Sequence, residues 1–229
     1  MKRLCGALFV SFFSLASFGQ APAGAPAAKP ATVAQVRADD HLEPENSSLT
    51  EQRHQYTYYP HLRSILLSKL SDNPLARVVV MPTFEPEYVV SVESDRKGWS
   101  FWIAVVTANE NIYQKPDRTG ITSATKTMPV SKELATQLNE LFKAATAQVS
   151  YQKNKYWGTD GTTYRFSAFA VGDGMRSGHT WAPQRGTNMH ELVQIAQLMQ
   201  RMALTGNQSL AAEISARSEK LMKRLTSNL

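Results

Sequence analysis

The chain has 229 residues, with 25 Lys and Arg against 19 Asp and Glu and a formal charge of +6. Its one cysteine, Cys5, lies near the start, so the body has no thiol nucleophile, no cysteine cage for a metal and no disulfide, and at this size it can bury a core without them. The bases are interspersed with acids and form no arginine–aromatic ribbon, which argues against a nucleic-acid-binding protein.

In chain order, Met1-Lys2-Arg3 is a short basic stretch and Leu4 to Phe18 an apolar run rich in Leu, Phe and Ala. That is the pattern of a secretory signal peptide over 1–19, with cleavage before Gln20. The run is shorter than the roughly 20 residues a membrane-spanning helix needs, and no second such run follows. The expected destination is periplasmic or extracellular, and loss of Lys2 and Arg3 lowers the net charge. From 20 to 49 the Ala- and Pro-rich composition predicts a flexible linker. Residues 50–229 are expected to form a single domain.

Within that domain Leu62, Ile65, Leu66 and Leu70 predict a short helix ending near Ser71-Asp72-Asn73-Pro74. Arg77 to Met81 and Tyr88 to Val92 read as strands separated by Pro82 and Pro86, and Asp95 to Gly98 as a turn. Trp99 to Ala108 is apolar on both faces, which places it inside a sheet. Ile121 to Met128 is a mostly polar strand suited to an edge. Ser131 caps a helix carrying Leu134, Leu138, Leu141, Phe142 and Ala145 on one face. Asp160-Gly161 predicts a tight hairpin turn joining two strands. Tyr164, Phe166 and Ala168 then alternate with polar neighbours, Gly172-Asp173-Gly174 breaks the chain, and Met175 to Trp181 returns as a strand.

Asn188, with Glu191 three residues on, is the expected cap of a helix whose stripe is Leu192, Ile195, Ala196, Met199, Met202 and Ala203. That stripe is the expected cover for the sheet face carrying Tyr164 and Phe166. Gly206 ends the helix, and a last one over Gln208 to Leu225 has a basic far side. Together these elements predict an α+β fold, an antiparallel sheet of five to seven strands packed against three or four helices.

Motifs for chemistry are incomplete. His190-Glu191 opens a helix as in zinc proteases, but Gln194 stands where the second histidine belongs. The Gly172 to Gly178 loop lacks the Lys-Ser or Lys-Thr of a phosphate cradle, and no Gly-x-Ser-x-Gly elbow occurs. No metal site and no cofactor is expected. Trp157, Asp160, Tyr164, Arg165, His179 and Trp181 gather around the last strands, and aromatic faces beside Arg and Asp suit a sugar or peptide ligand.

The stretch Asp160-Gly161-Thr162-Thr163-Tyr164-Arg165-Phe166, followed by Thr180-Trp181-Ala182-Pro183, resembles a pattern of uncharacterised secreted bacterial proteins. The resemblance covers about the last third of the chain and implies a bacterial source and export, but no activity. The leading expectation is a non-enzymatic binding module whose partner is an envelope protein or glycan. The alternatives are an envelope hydrolase pairing His179 with Glu85, Glu87 or Asp160, and an inhibitor or immunity-type partner of another secreted protein.

Overall fold

The computed structural model describes residues 40–44, 55–115, 117, 119–153 and 160–227. A helix α1, Gln55–Leu62, runs directly into a π-helical turn, Arg63–Leu67. Four strands follow: β1 Ala76–Pro82, β2 Tyr88–Ser94, β3 Phe101–Ala108 and β4 Ser123–Val130. Then come α2 Lys132–Ala147, β5 Thr162–Ala170, β6 Gly174–Trp181, α3 Asn188–Thr205 and α4 Leu210–Thr226. The strands form one six-stranded sheet in the order β4-β3-β2-β1-β5-β6, antiparallel at every step. The fold is α+β, as composition and periodicity predict, and no helix among the described residues is long and apolar enough to cross a membrane.

Side-chain alternation divides the sheet into two faces, each with its own core. On one face Val78, Val80, Val90, Val92, Ile103, Val105, Phe166 and Ala168 pack under α2, α3 and α4. On the other, Val79, Val89, Val106 and Ala108 meet Tyr58, Leu62 and Leu66 of α1 and its π-helical turn, together with Ile112. Burial of β3 on both sides follows, because helices cover it above and below. The polar β4 takes the outer edge.

The helices divide the first face differently from the expectation. α3 lies over β2, β3 and β4, while the cover of β5 is α2. Phe142 of α2 meets Phe166 edge-on, ring centroids 5.4 Å apart at 72°. The α3 cap also differs. Asn188 is the first helical residue and Thr187 the cap, its hydroxyl accepting from the His190 amide at 3.1 Å. The Asp40 carboxylate accepts from the Asn188 and Met189 amides at 2.6 and 2.9 Å, so a distant carboxylate satisfies two orphan donors at the positive end of the helix.

Residues 40–44 pack on the body. Leu42 is fully buried, and Glu43 pairs with His179 of β6 through two backbone hydrogen bonds of 2.8 Å. Gly178 makes this possible, since a Cβ there would stand 2.6 Å from Val149 Cγ2 and 2.9 Å from Leu42 Cβ.

Among the described residues the expected hairpin at Asp160-Gly161 is not formed. Gly161 lacks a positive φ, and the strand it leads into pairs with β1 and β6. The hairpin of this region joins β5 to β6, where Gly172 and Gly174 have φ of 90° and 78°. The Asp95–Gly98 turn does join β2 to β3. Trp99 belongs to that connection, 77 % exposed, and β3 begins at Phe101.

Candidate functional site

The strand ends at Pro82, Tyr88, Ala108, Thr162 and Trp181 meet at one end of the sheet, where two loops are stitched together. The Asn111 side-chain amide donates to the Glu85 carbonyl at 2.7 Å and to the Thr83 carbonyl at 3.3 Å. Gln114 Nε2 donates to the Thr83 carbonyl at 2.9 Å, and the Gln114 amide to Asn111 Oδ1 at 2.7 Å. Beneath them Glu87 is fully buried. Its carboxylate accepts from the Ile112 amide at 2.7 Å, the Tyr113 amide at 3.0 Å and the Tyr58 hydroxyl at 2.9 Å. Three donors compensate a charge that would otherwise be costly away from water.

Around this latch runs an arc of aromatic rings. Tyr58 meets Tyr113 edge-on at 5.5 Å and Tyr59 at a tilt of 47° at 5.3 Å, and the Arg165 guanidinium lies over the Tyr59 ring at 4.8 Å. On the other side Thr83 bonds to Gly161, its amide and hydroxyl both donating to the Gly161 carbonyl at 3.0 and 2.8 Å. The Trp181 indole lies directly over Gly161, where a Cβ would stand 2.7 Å from the ring atoms. Phe84 and Tyr113, one on each stitched loop, project outward and are 65 % and 53 % exposed. Ala182, next to Trp181, has φ 39°, a left-handed conformation unusual for a residue with a side chain.

The predicted site residues divide by face. Arg165 and His179 are cross-strand partners, as are Thr163 and Trp181, so Arg165, His179 and Trp181 share the face that holds α1. Asp160 is exposed beside Gly161. Tyr164 points to the opposite face, beneath the three later helices, in register with Val80 and Thr180; strand alternation removes it from the group. Its neighbour Tyr88 has its hydroxyl pKa pushed up to about 12, by burial and then by Tyr164. Trp157 lies outside the described residues. Tyr58, Tyr59, Phe84, Asn111, Tyr113 and Gln114 complete the arc and were not named from sequence, although the Tyr56-Thr57-Tyr58-Tyr59 run marks an aromatic concentration.

The electrostatics of the cluster favour the neutral forms of His179 and Tyr58. Burial, then the nearby Arg165 charge, holds the His179 pKa below the ordinary histidine range, while its backbone contact with Glu43 pulls the other way. His179 is therefore neutral at pH 7, and its Nδ1 is buried without a hydrogen-bond partner. Among the described residues no hydrogen bond or ion pair joins His179 to Glu85, Glu87 or Asp160. Burial and then Glu87 push the Tyr58 phenol far up, so it stays protonated. No group of three His, Cys, Asp or Glu able to hold a metal occurs among the described residues. A hollow of about 470 Å³ lies at the other end of the sheet, between Pro129–Ser131 and α4, away from this cluster.

Comparison with protein-family models, curated proteins and solved structures finds no match.

Proposed function

We propose that this chain is a non-enzymatic binding module of the cell envelope, exported by its amino-terminal segment, and that its partner docks on the aromatic end of the sheet. The observation that carries the reading is the rigid presentation of Phe84 and Tyr113. Each is more than half exposed, yet the loops beneath them are held by side-chain-to-backbone hydrogen bonds and by the buried Glu87 carboxylate. Exposed apolar rings on a preorganised frame lose little conformational entropy when a partner covers them. A hydrolase draws no comparable support, because Glu87 is already occupied by three donors and His179 faces an arginine.

The test uses the purified chain and a Phe84→Ala/Tyr113→Ala variant, both challenged with an arrayed panel of envelope proteins, peptides and cell-wall oligosaccharides. Retention by the wild type that the folded variant loses by about tenfold or more is the expected result. Equal retention by both forms, or none by either, would overturn the reading.

A further inference from the structure

Among the described residues, acids outnumber bases around Phe84 and Tyr113, the reverse of the chain as a whole, and the contrast bears on the class of partner. The chain has a formal charge of +6. Among the described residues at this end, however, Glu85, Glu110, Asp117 and Asp160 are exposed acids and Glu87 a buried one, against Lys115 and Arg165. Lys115 is already matched by Glu110 at 2.9 Å. Glu85 and Asp160 are exposed and make no ion pair among the described residues. Thr83 ties the positions together, since it precedes Phe84 and bonds to Gly161 beside Asp160 while its carbonyl takes the side chains of Asn111 and Gln114.

We infer that the docking surface at Phe84 and Tyr113 receives a basic protein segment, one with Lys or Arg next to an aromatic or aliphatic side chain. This rests on the binding-module reading and narrows it from any ligand to one charge class. Two features of the surface act together. The exposed ring faces carry the negative side of the aromatic quadrupole and attract a cation within about 6 Å of the centroid. The unpaired carboxylates at Glu85 and Asp160 supply the counter-charge at the rim, where it steers encounter and sets register. Arg165 does not oppose this, because its guanidinium lies over Tyr59, separated from Tyr113 by the ring of Tyr58. A neutral oligosaccharide would use the rings but gain nothing from the carboxylates, and an acidic one would be repelled.

The probe is a displayed random heptapeptide library panned on the immobilised full-length chain, followed by calorimetry with the most enriched synthetic peptide. Two variants accompany it, Phe84→Ala/Tyr113→Ala and Glu85→Lys/Asp160→Lys, both at exposed positions and checked by thermal melting. Enrichment of Lys or Arg beside an apolar residue is expected, with affinity at least about tenfold weaker in each variant. It should also weaken several-fold as salt rises from about 50 to about 300 mM. Enriched peptides without excess positive charge, or binding indifferent to the charge reversal, would overturn the inference. If such peptides still needed Phe84 and Tyr113, the binding-module reading would stand alone. No enrichment, together with no loss in the aromatic variant on the envelope panel, would remove both.

Discussion

Replacing Glu87 by Gln changes one atom in the latch beneath the site. In the native chain the carboxylate accepts from the Ile112 and Tyr113 amides and from the Tyr58 hydroxyl, with no exposure to water. Glutamine keeps one acceptor oxygen and places an NH2 group against a donor. Whichever way the amide turns, at least one buried donor loses its acceptor and the others lose charge assistance. A hydrogen bond to a charged group contributes about 1.5–3 kcal/mol, and a buried orphan donor costs about 1–3 kcal/mol. A loss of about 2–5 kcal/mol is therefore expected, or roughly 4–20 °C in melting temperature for a chain of this size. Thermal and urea unfolding measure the total. Hydrogen exchange of the Ile112 and Tyr113 amides, which should lose protection beyond the global change, locates it. A variant melting within about 2 °C of the wild type, with both amides still protected, would refute the argument that Glu87 is the latch.

Four other expectations follow from the same geometry. Gly178→Val should displace residues 40–44 from β6, because its side chain would overlap Val149 and Leu42; overpacking of about 1–3 kcal/mol is read by unfolding and by new protease sensitivity near Leu42. Ala182→Gly should stabilise by about 1 kcal/mol, since φ 39° costs a side chain energy that glycine avoids, and chemical denaturation checks the sign. His179 makes stability depend on pH in one direction: with its folded pKa depressed, protonation favours the unfolded chain, so stability falls as pH drops below about 6.5 towards the lower folded value. His179→Gln should flatten that portion of the pH–stability curve, while an unchanged slope would assign it to other groups. Deleting residues 1–19 should retain the chain in the cytoplasm, and cell fractionation reporting unchanged export would contradict the signal-peptide reading.

Much of the fold was legible because local rules governed it. The β3 segment, apolar on both faces, is covered on both. Ser131 caps α2 through the Leu134 amide at 3.2 Å, and Gly206 closes α3 in the left-handed conformation at φ 69°. What sequence could not supply came from long-range partners. Asp40 accepts two amides at the start of a helix 148 positions away, a contact no local pattern announces, while the cap itself is Thr187, one residue before the expected Asn188. The pairing of β1 with β5 puts Thr83 against Gly161, which is why Asp160-Gly161 is a strand entry instead of a hairpin.

The candidate site was half legible for the same reason. Arg165, His179 and Trp181 lie at odd positions along β5 and β6 and share a face, while Tyr164, at an even one, is turned away. Tyr58, Phe84 and Tyr113 come from three separated segments that only the fold brings together, through Glu87 and Thr83.

The most direct test of the binding surface is photo-crosslinking in the living cell, with a benzophenone side chain replacing Phe84 in the full-length chain and, as control, Lys220 on the exposed basic side of α4. The account predicts a discrete adduct from position 84 and none from position 220. No adduct at 84, or the same adducts at both positions, would contradict it.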